Sequence, residues 1–397
     1  MVDMITGAGR TEPGGPPLPT DVERALYAAK VRGDWDGYLR VLLANDMFSY
    51  SSKAQIDSSK LGLPHWQYLR GPDGRKLLPV YTRGALLPRR PDVVAHPVEL
   101  PLSRVDGVLV EWRGVVVNPG TPTEAHFPGV HKQRKRWKAL KESTPRADVD
   151  AILRTEYTGP LHGPLAHGLA CGALLATHNK VVWNDIGDSY DHYAEDVLVL
   201  RDAWNVTDRD GCLGQLSFLL RGVNSPAEIQ FLLGVRNAMT RRWPGAQDDA
   251  EAWRKISADQ FLALGNDPGR IPAIQELIGR ILRYESRFRA DGVLPPDGRV
   301  TSTLGYDYGR AVNFARWGLS ARYLTFDEAE QAILEAGELS RKAHSSWADF
   351  SAGYILGRVL RFDEESYGEF YHPVVAAHRI LLNDPSSPWH NIPFNLD

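Results

Sequence analysis

Hydrophobic positions along this 397-residue chain change their period twice. From Asp21 onward, Val22, Leu26 and Ala29, then Tyr38, Leu39, Leu42 and Leu43, recur at helical spacing around Gly33-Asp34, which predicts two short helices. Runs of β-favouring residues follow. WQYLR (66–70) and KLLPVYT (76–82) flank Gly71-Pro72-Asp73-Gly74-Arg75, whose Asp-Gly pair suits the positive φ of a hairpin turn. A proline-rich loop to Pro101 leads into GVLVEWRGVVVNPG (107–120), a predicted strand closed by the turn Asn118-Pro119-Gly120.

Beyond Pro128 the period becomes helical. HKQRKRWKALKESTPR (131–146) reads as a basic helix between two modules. Thr207-x-x-Asp210, Ser225-x-x-Glu228, Ser257-x-x-Gln260, Thr325-x-x-Glu328 and Ser346-x-x-Asp349 each match a capping box and predict helix starts. Gly222-Val223-Asn224, Asp267-Pro268-Gly269 and Leu294-Pro295-Pro296-Asp297-Gly298 mark gaps, and no strand-like alternation of comparable length follows Asp185. The fold class expected is α+β: a disordered tail (1–20), a small α/β module with a short mixed sheet (21–128), a basic linker or linker helix (129–156) and a larger, mainly α-helical module (157–397).

Two resemblances fit this division. VERALYAAKVRGDWDGYLRVLLANDMF, the hairpin into LLPVYT, and VVVNPGTPTEAHFP with its Asn118-Pro119-Gly120 turn make residues 21–128 resemble the N-terminal domain of the SseB family, a bacterial α/β module. GYDYGRAVNFARWGLSARYLTFDEAEQAI, HSSWADFSAGYILGRVLRF, LACGALLATHNK, LRDAWNVTDRDGCLGQLSFLL and SPWHNIPF make residues 157–395 resemble the domain-of-unknown-function family number 1266. Members of that family typically carry tryptophan where Tyr306 stands and at the position of Arg361-Phe362. Asp307, Arg310 and Arg316-Trp317 match the family pattern. Neither resemblance carries catalytic residues across.

Composition narrows the classes of function. Lys and Arg number 46 against 49 Asp and Glu, a net charge of -3, so no global field draws nucleic acid or an anionic membrane. Cys171 and Cys212 are too few for a disulfide scaffold and lie in apolar helical runs, which predicts buried thiols in a reducing compartment. The start of the chain lacks a basic-then-apolar leader, and no stretch approaches 18 apolar residues, so membrane insertion is not expected and the cytoplasm is. Gly7-Ala8-Gly9 is followed by prolines where a phosphate-binding helix would begin, and is discarded as a dinucleotide loop.

Chemistry-bearing residues are sparse. Asp307 and Arg310 share one helix face with Phe314 and Trp317, and Tyr354 and Arg358 share another. Charges buried between two such helices need partners, so an ion pair of Asp307 with Arg358, or of Asp349 with Arg310, is expected. Arg316, Trp317, Trp347 and Tyr354 read as a structural cluster. The enzymatic alternative places Asp307, Arg310, Asp349 and Arg358 around a small anionic or phosphorylated substrate, arginine binding the anion and aspartate acting as base. Geometry separates the two: internal pairing in a dry core favours structure, an adjoining open cleft favours catalysis.

Other signals are weaker. His162 and His167, five apart, and His126 and His131, in a loop, lack metal-site spacing, so neither metal nor cofactor is expected. Asp185, Asp188, Asp191, Glu195 and Asp196 form an acidic segment without the glycine and glutamate offsets of a calcium loop. The basic run at 132–141 has Trp137 alone for stacking, which disfavours nucleic acid. The expectation is a non-catalytic bacterial protein-binding or adaptor protein, accessory to a secretion or toxin-immunity system, whose many tryptophans and tyrosines serve a protein partner.

Overall fold

The computed structural model describes residues 18–45, 47–52, 54, 67–71, 74–86, 93–98, 114–128, 130–143, 151–156, 159–187, 193–243, 245 and 249–396. The expectations for most of the N-terminal tail, Pro72-Asp73, residues 107–113, Asp188 and Asp191 lie outside the described residues.

Thr20 caps α1 (Asp21–Val31) through a full capping box with Glu23, one not among the five expected. Asp34 caps α2 (Trp35–Ala44), accepting a hydrogen bond from the Gly37 N–H at 2.8 Å. Both helices bury the apolar stripe that predicted them, including Leu26, Tyr38, Leu39 and Leu42.

The helices accompany a mixed sheet of β1 (Met47–Ser52), β2 (Leu69–Arg70), β3 (Lys76–Thr82), β4 (Val93–Val98), β5 (Gly114–Val117) and β6 (Ala125–Pro128). Its order is β4-β1-β3-β5-β6, with β2 beside β3. The β3–β5 pair is parallel and the rest antiparallel. The expected hairpin forms, Leu69 opposite Leu77, and Gly74 takes a φ of 73°.

Three strands, β1, β4 and β6, stand where none was expected. β1 hides its period because Ser49 and Ser51 are as buried as Phe48 and Tyr50. β4 falls in the proline-rich segment, and as the edge strand it tolerates Pro97. Pro79 has no N–H for the sheet, and the β1–β3 ladder spans only Met47 and Phe48; beyond it the Ser49 hydroxyl donates to the Pro79 carbonyl at 2.7 Å.

The basic run forms α3 (Val130–Ser143), with a role beyond linkage. Trp137 is fully buried, its ring 5.6 Å from that of Phe127, and with Leu140 it completes the first module's core. The one aromatic available for stacking on nucleic acid is therefore occupied.

The second module comprises α4 (Gly163–Cys171), α5 (Ala173–His178), α6 (Tyr193–Trp204), α7 (Arg209–Leu220), α8 (Ala227–Arg242), α9 (Ala250–Ala263), α10 (Ile271–Asp291), α11 (Leu304–Ser320), α12 (Phe326–Ala343), α13 (Trp347–Phe362), α14 (His372–Asn383) and α15 (Pro388–Asn391). Among the described residues of this part, extended pairing is limited to a parallel bridge between Arg154 and Val182.

α11 is buried along almost its whole length, so it forms the axis of the module. Glycines let its neighbours approach. A Cβ on Gly309 would lie 2.9 Å from the Cys171 carbonyl oxygen and from the Tyr354 ring, and one on Gly305 would lie 2.8 Å from the Phe350 carbonyl oxygen. From α13, a Cβ on Gly357 would lie 2.6 Å from Cβ of Tyr306, and one on Gly353 would lie 2.2 Å from the Ser302 carbonyl oxygen. The repeated glycines of GYDYG and SAGYILG thus serve a seam where two helices nearly touch.

Candidate functional site

Asp307 lies in the first turn of α11, fully buried. Its carboxylate accepts the Ser225 N–H at 3.1 Å and the Ser225 hydroxyl at 2.9 Å, and pairs with Arg310 at 2.6 Å. Arg310 lies over the Tyr306 ring, 3.7 Å from its centroid, and donates to the Tyr306 carbonyl. With its amide oxygen turned toward the guanidinium, Asn224 sits 2.6 Å from Arg310 Nη2. The pair is thus enclosed by its own helix and the loop before α8.

Asp349 belongs to the other end of the seam. It accepts from the Ser345 N–H and the Thr301 hydroxyl, both at 2.9 Å, with His344 Nδ1 at 3.5 Å. Burial pushes its carboxyl up, but the bonds from His344, Ser345 and Thr301 outweigh that and hold it below its ordinary range. Arg358 turns away and donates through Nε to the Phe370 carbonyl at 3.2 Å.

Neither expected cross-helix ion pair forms. Nine residues of helix separate Asp349 from Arg358, about 13 Å along the axis. The glycine seam brings backbone against backbone, so long side chains are displaced to its flanks and find nearer partners. The bidentate buried pair of this module joins α8 to α10: Arg236 donates to both carboxylate oxygens of Glu285, at 2.8 and 2.6 Å, with its guanidinium over the Trp253 ring.

The expected structural cluster divides in two. Trp347 stacks on Trp389, centroids 5.5 Å apart, and donates to the Ile392 carbonyl at 2.8 Å. Trp389 donates to the Ala170 carbonyl at 3.0 Å, and His167 bonds the Phe394 carbonyl at 2.7 Å. The C-terminal SPWHNIPF is thereby sewn onto α4 and α13. Tyr354 is fully buried against α11, and burial raises its hydroxyl pKa.

Arg316 and Trp317 do something else. With Asn313 and Ser320 they line a cavity of about 1090 Å³ between the two modules. Arg316 is anchored at its wall, Nη2 donating to the Val182 carbonyl at 2.7 Å. Gly187, with φ 92°, brings the wall close to α11; a Cβ there would lie 2.8 Å from the Arg316 carbonyl oxygen. The first module contributes Asp21, Asn45 and Arg83, the segment between the modules Arg154, and the second module also Lys180, Asp185, Glu195 and Asp196.

Polar contacts between described residues join the modules here. Arg83 pairs with Asp185 at 2.7 Å, with both side chains largely buried, and Arg322 donates to the Val93 carbonyl at 2.9 Å. Beside the main cavity, a recess is lined by Val22, Asn45, Phe48, Arg83, Arg154, Lys180 and Val181, three cations and no carboxylate. Asp307, Arg310, Asp349 and Arg358 take no part in the cavity wall.

Periodicity within one element does not reveal such a site, because its residues come from segments up to 300 positions apart. One partial signal existed. The acidic segment placed Asp185, Glu195 and Asp196 at this junction, although their role there is in module contact and cavity lining.

Among the described residues no group of three or more His, Cys, Asp or Glu side chains is arranged to hold a metal ion. Burial pushes the Cys171 and Cys212 thiols up to about 12, as expected of inert buried sulfurs. None of the described helices is long and apolar enough to cross a membrane.

Comparison with known proteins agrees with the two-module division. The model described as SseB protein N-terminal domain matches residues 22–131, and that described as protein of unknown function (DUF1266) matches residues 199–394. The second match begins inside α6, so α4 and α5, which share the helical core, precede it. Searches of the curated proteins and of the solved structures found no match. The chain therefore carries an SseB N-terminal domain followed by a DUF1266 region, in that order.

Proposed function

We propose that this protein is a non-catalytic adaptor of the bacterial cytoplasm, accessory to a secretion or toxin-immunity system, in which each module offers a surface to a protein partner. The observation that supports this reading is the fate of the Asp/Arg cluster. Asp307, Arg310, Asp349 and Arg358 are engaged by neighbouring backbone and side chains, away from the cavity, and a base or anion-binding arginine would have to break those bonds to meet a substrate.

Exposed apolar side chains supply places for a partner. Val31 and Trp35, at the junction of α1 and α2, are 67% and 46% exposed, and Leu264 after α9 is 69% exposed. Exposed large apolar and aromatic side chains are the material of interface anchors. The enzymatic alternative keeps one support, the cavity between the modules, whose charged lining would have to supply its chemistry.

The test is affinity capture from the native cell with the full chain and with Trp35→Asp and Leu264→Asp variants of unchanged thermal midpoint. A partner held by the wild type and lost from one variant supports the adaptor reading and locates its surface. Absence of any specific partner for the wild type sinks it.

A further inference from the structure

The cavity between the modules has polarity as well as volume. At about 1090 Å³ it lies just above the usual range for small-molecule sites. Arg83, Arg154 and Lys180 line both the cavity and its side recess, so three cations, from the two modules and the segment between them, gather at one end without a carboxylate in the recess. Arg83 is held in place by Asp185. Lys180 makes no side-chain hydrogen bond or ion pair with the described residues, and its backbone takes a φ of 60° at the lip of the turn after α5.

The wall formed by α11 differs. Trp317 offers a half-buried ring, and the buried Ser320 hydroxyl has no hydrogen-bond partner among the described residues. A buried hydroxyl without a partner is costly unless a ligand or water completes it. Glu195 and Asp196 line the same cavity and repel an anion, while accepting hydrogen bonds from hydroxyl or amino groups.

We propose that this cleft binds a nucleoside monophosphate, its phosphate at Arg83, Arg154 and Lys180 and its ring and sugar against Trp317, Ser320 and the carboxylates. Arg83, although paired with Asp185, adds guanidinium donors to those of Arg154 and the ammonium of Lys180, a set that suits the several oxygens of a phosphate better than a carboxylate, and a planar base stacks on indole. Because the phosphate would touch both modules, the ligand also clamps them together. The assignment is independent of the adaptor reading, since it concerns binding alone.

The test uses the full chain in calorimetric titrations with AMP, GMP, CMP and UMP, with adenosine, and with inorganic phosphate. At least one monophosphate is expected to bind with a submillimolar Kd, more tightly than adenosine or phosphate. Lys180→Gln and Lys180→Glu are expected to weaken it about tenfold and more than tenfold at unchanged thermal midpoint, and raising the salt to weaken it further. Lack of binding by all four monophosphates overturns the proposal. So does binding indifferent to both Lys180 variants, and so does phosphate binding as tight as that of every nucleotide, which would leave Trp317 without a role.

Discussion

Asn118 shows how one side chain accounts for a turn that a sequence pattern can only mark. It sits at φ 44°, fully buried, and its amide accepts the Thr82 N–H at 2.8 Å while donating to the Thr82 and Thr123 hydroxyls, both at 2.9 Å. Asparagine tolerates this left-handed conformation and bonds three groups at once, the buried Thr82 N–H among them. Asn118→Ala is expected to cost about 2–4 kcal/mol, read as a lowered denaturant midpoint. Two buried histidines add a pH dependence. Burial lowers both His167 and His378 to about 4, and their ordinary value is 6.5. The unfolded chain therefore takes up protons first as pH falls, so the stability these groups contribute is present above pH 6.5 and lost progressively toward pH 4. Thermal midpoints across that window should fall as the solution is acidified, and should fall less in a His378→Gln variant, which keeps a polar group opposite the Ser351 hydroxyl.

Elements were legible where side chains acted locally. The first two helices, the β2–β3 hairpin and the helical character of the second module follow from periodicity and turn chemistry. Caps were legible only in part. Thr325 forms its complete box and Ser346 caps α13, but α7 is capped by Asp208, one residue past Thr207, and α8 begins at Ala227 while Ser225 serves Asp307. Ser257 is buried inside α9. The motif names a hydroxyl and an acid, whereas tertiary contacts decide which of them meets the backbone. β1 and β4 escaped for a related reason: two-sided burial erased the alternation of one, and an edge position made proline acceptable in the other. The α11–α13 seam carries its own prediction. Gly309→Ala places a methyl against the Cys171 carbonyl and the Tyr354 ring, and is expected to destabilise the protein by about 1–3 kcal/mol in equilibrium unfolding, while Ala substitution at Gly214, which has open space around it, should be close to neutral.

At the scale of the whole molecule, the two larger of three apolar clusters form the cores of the modules, which meet at a charged junction. The first gathers around Trp137, Phe127 and Tyr38, and the second around α11. The cavity between them was invisible in the sequence, because its lining is assembled from both modules and the segment between them. Of the four residues that sequence chemistry singled out, Asp307 and Arg310 are buried in the second core while Asp349 and Arg358 are half-buried, and their engagement by neighbouring groups away from the cavity is the basis for reading them as structural. That reading is the central claim, and the stability of an Asp307→Asn variant tests it most directly. Asparagine keeps the shape but leaves Arg310 buried without its countercharge, so chemical denaturation should show a loss of about 3 kcal/mol. A variant as stable as the wild type, or more stable, would contradict the account, since a carboxylate that strains its fold is the mark of a residue kept for function.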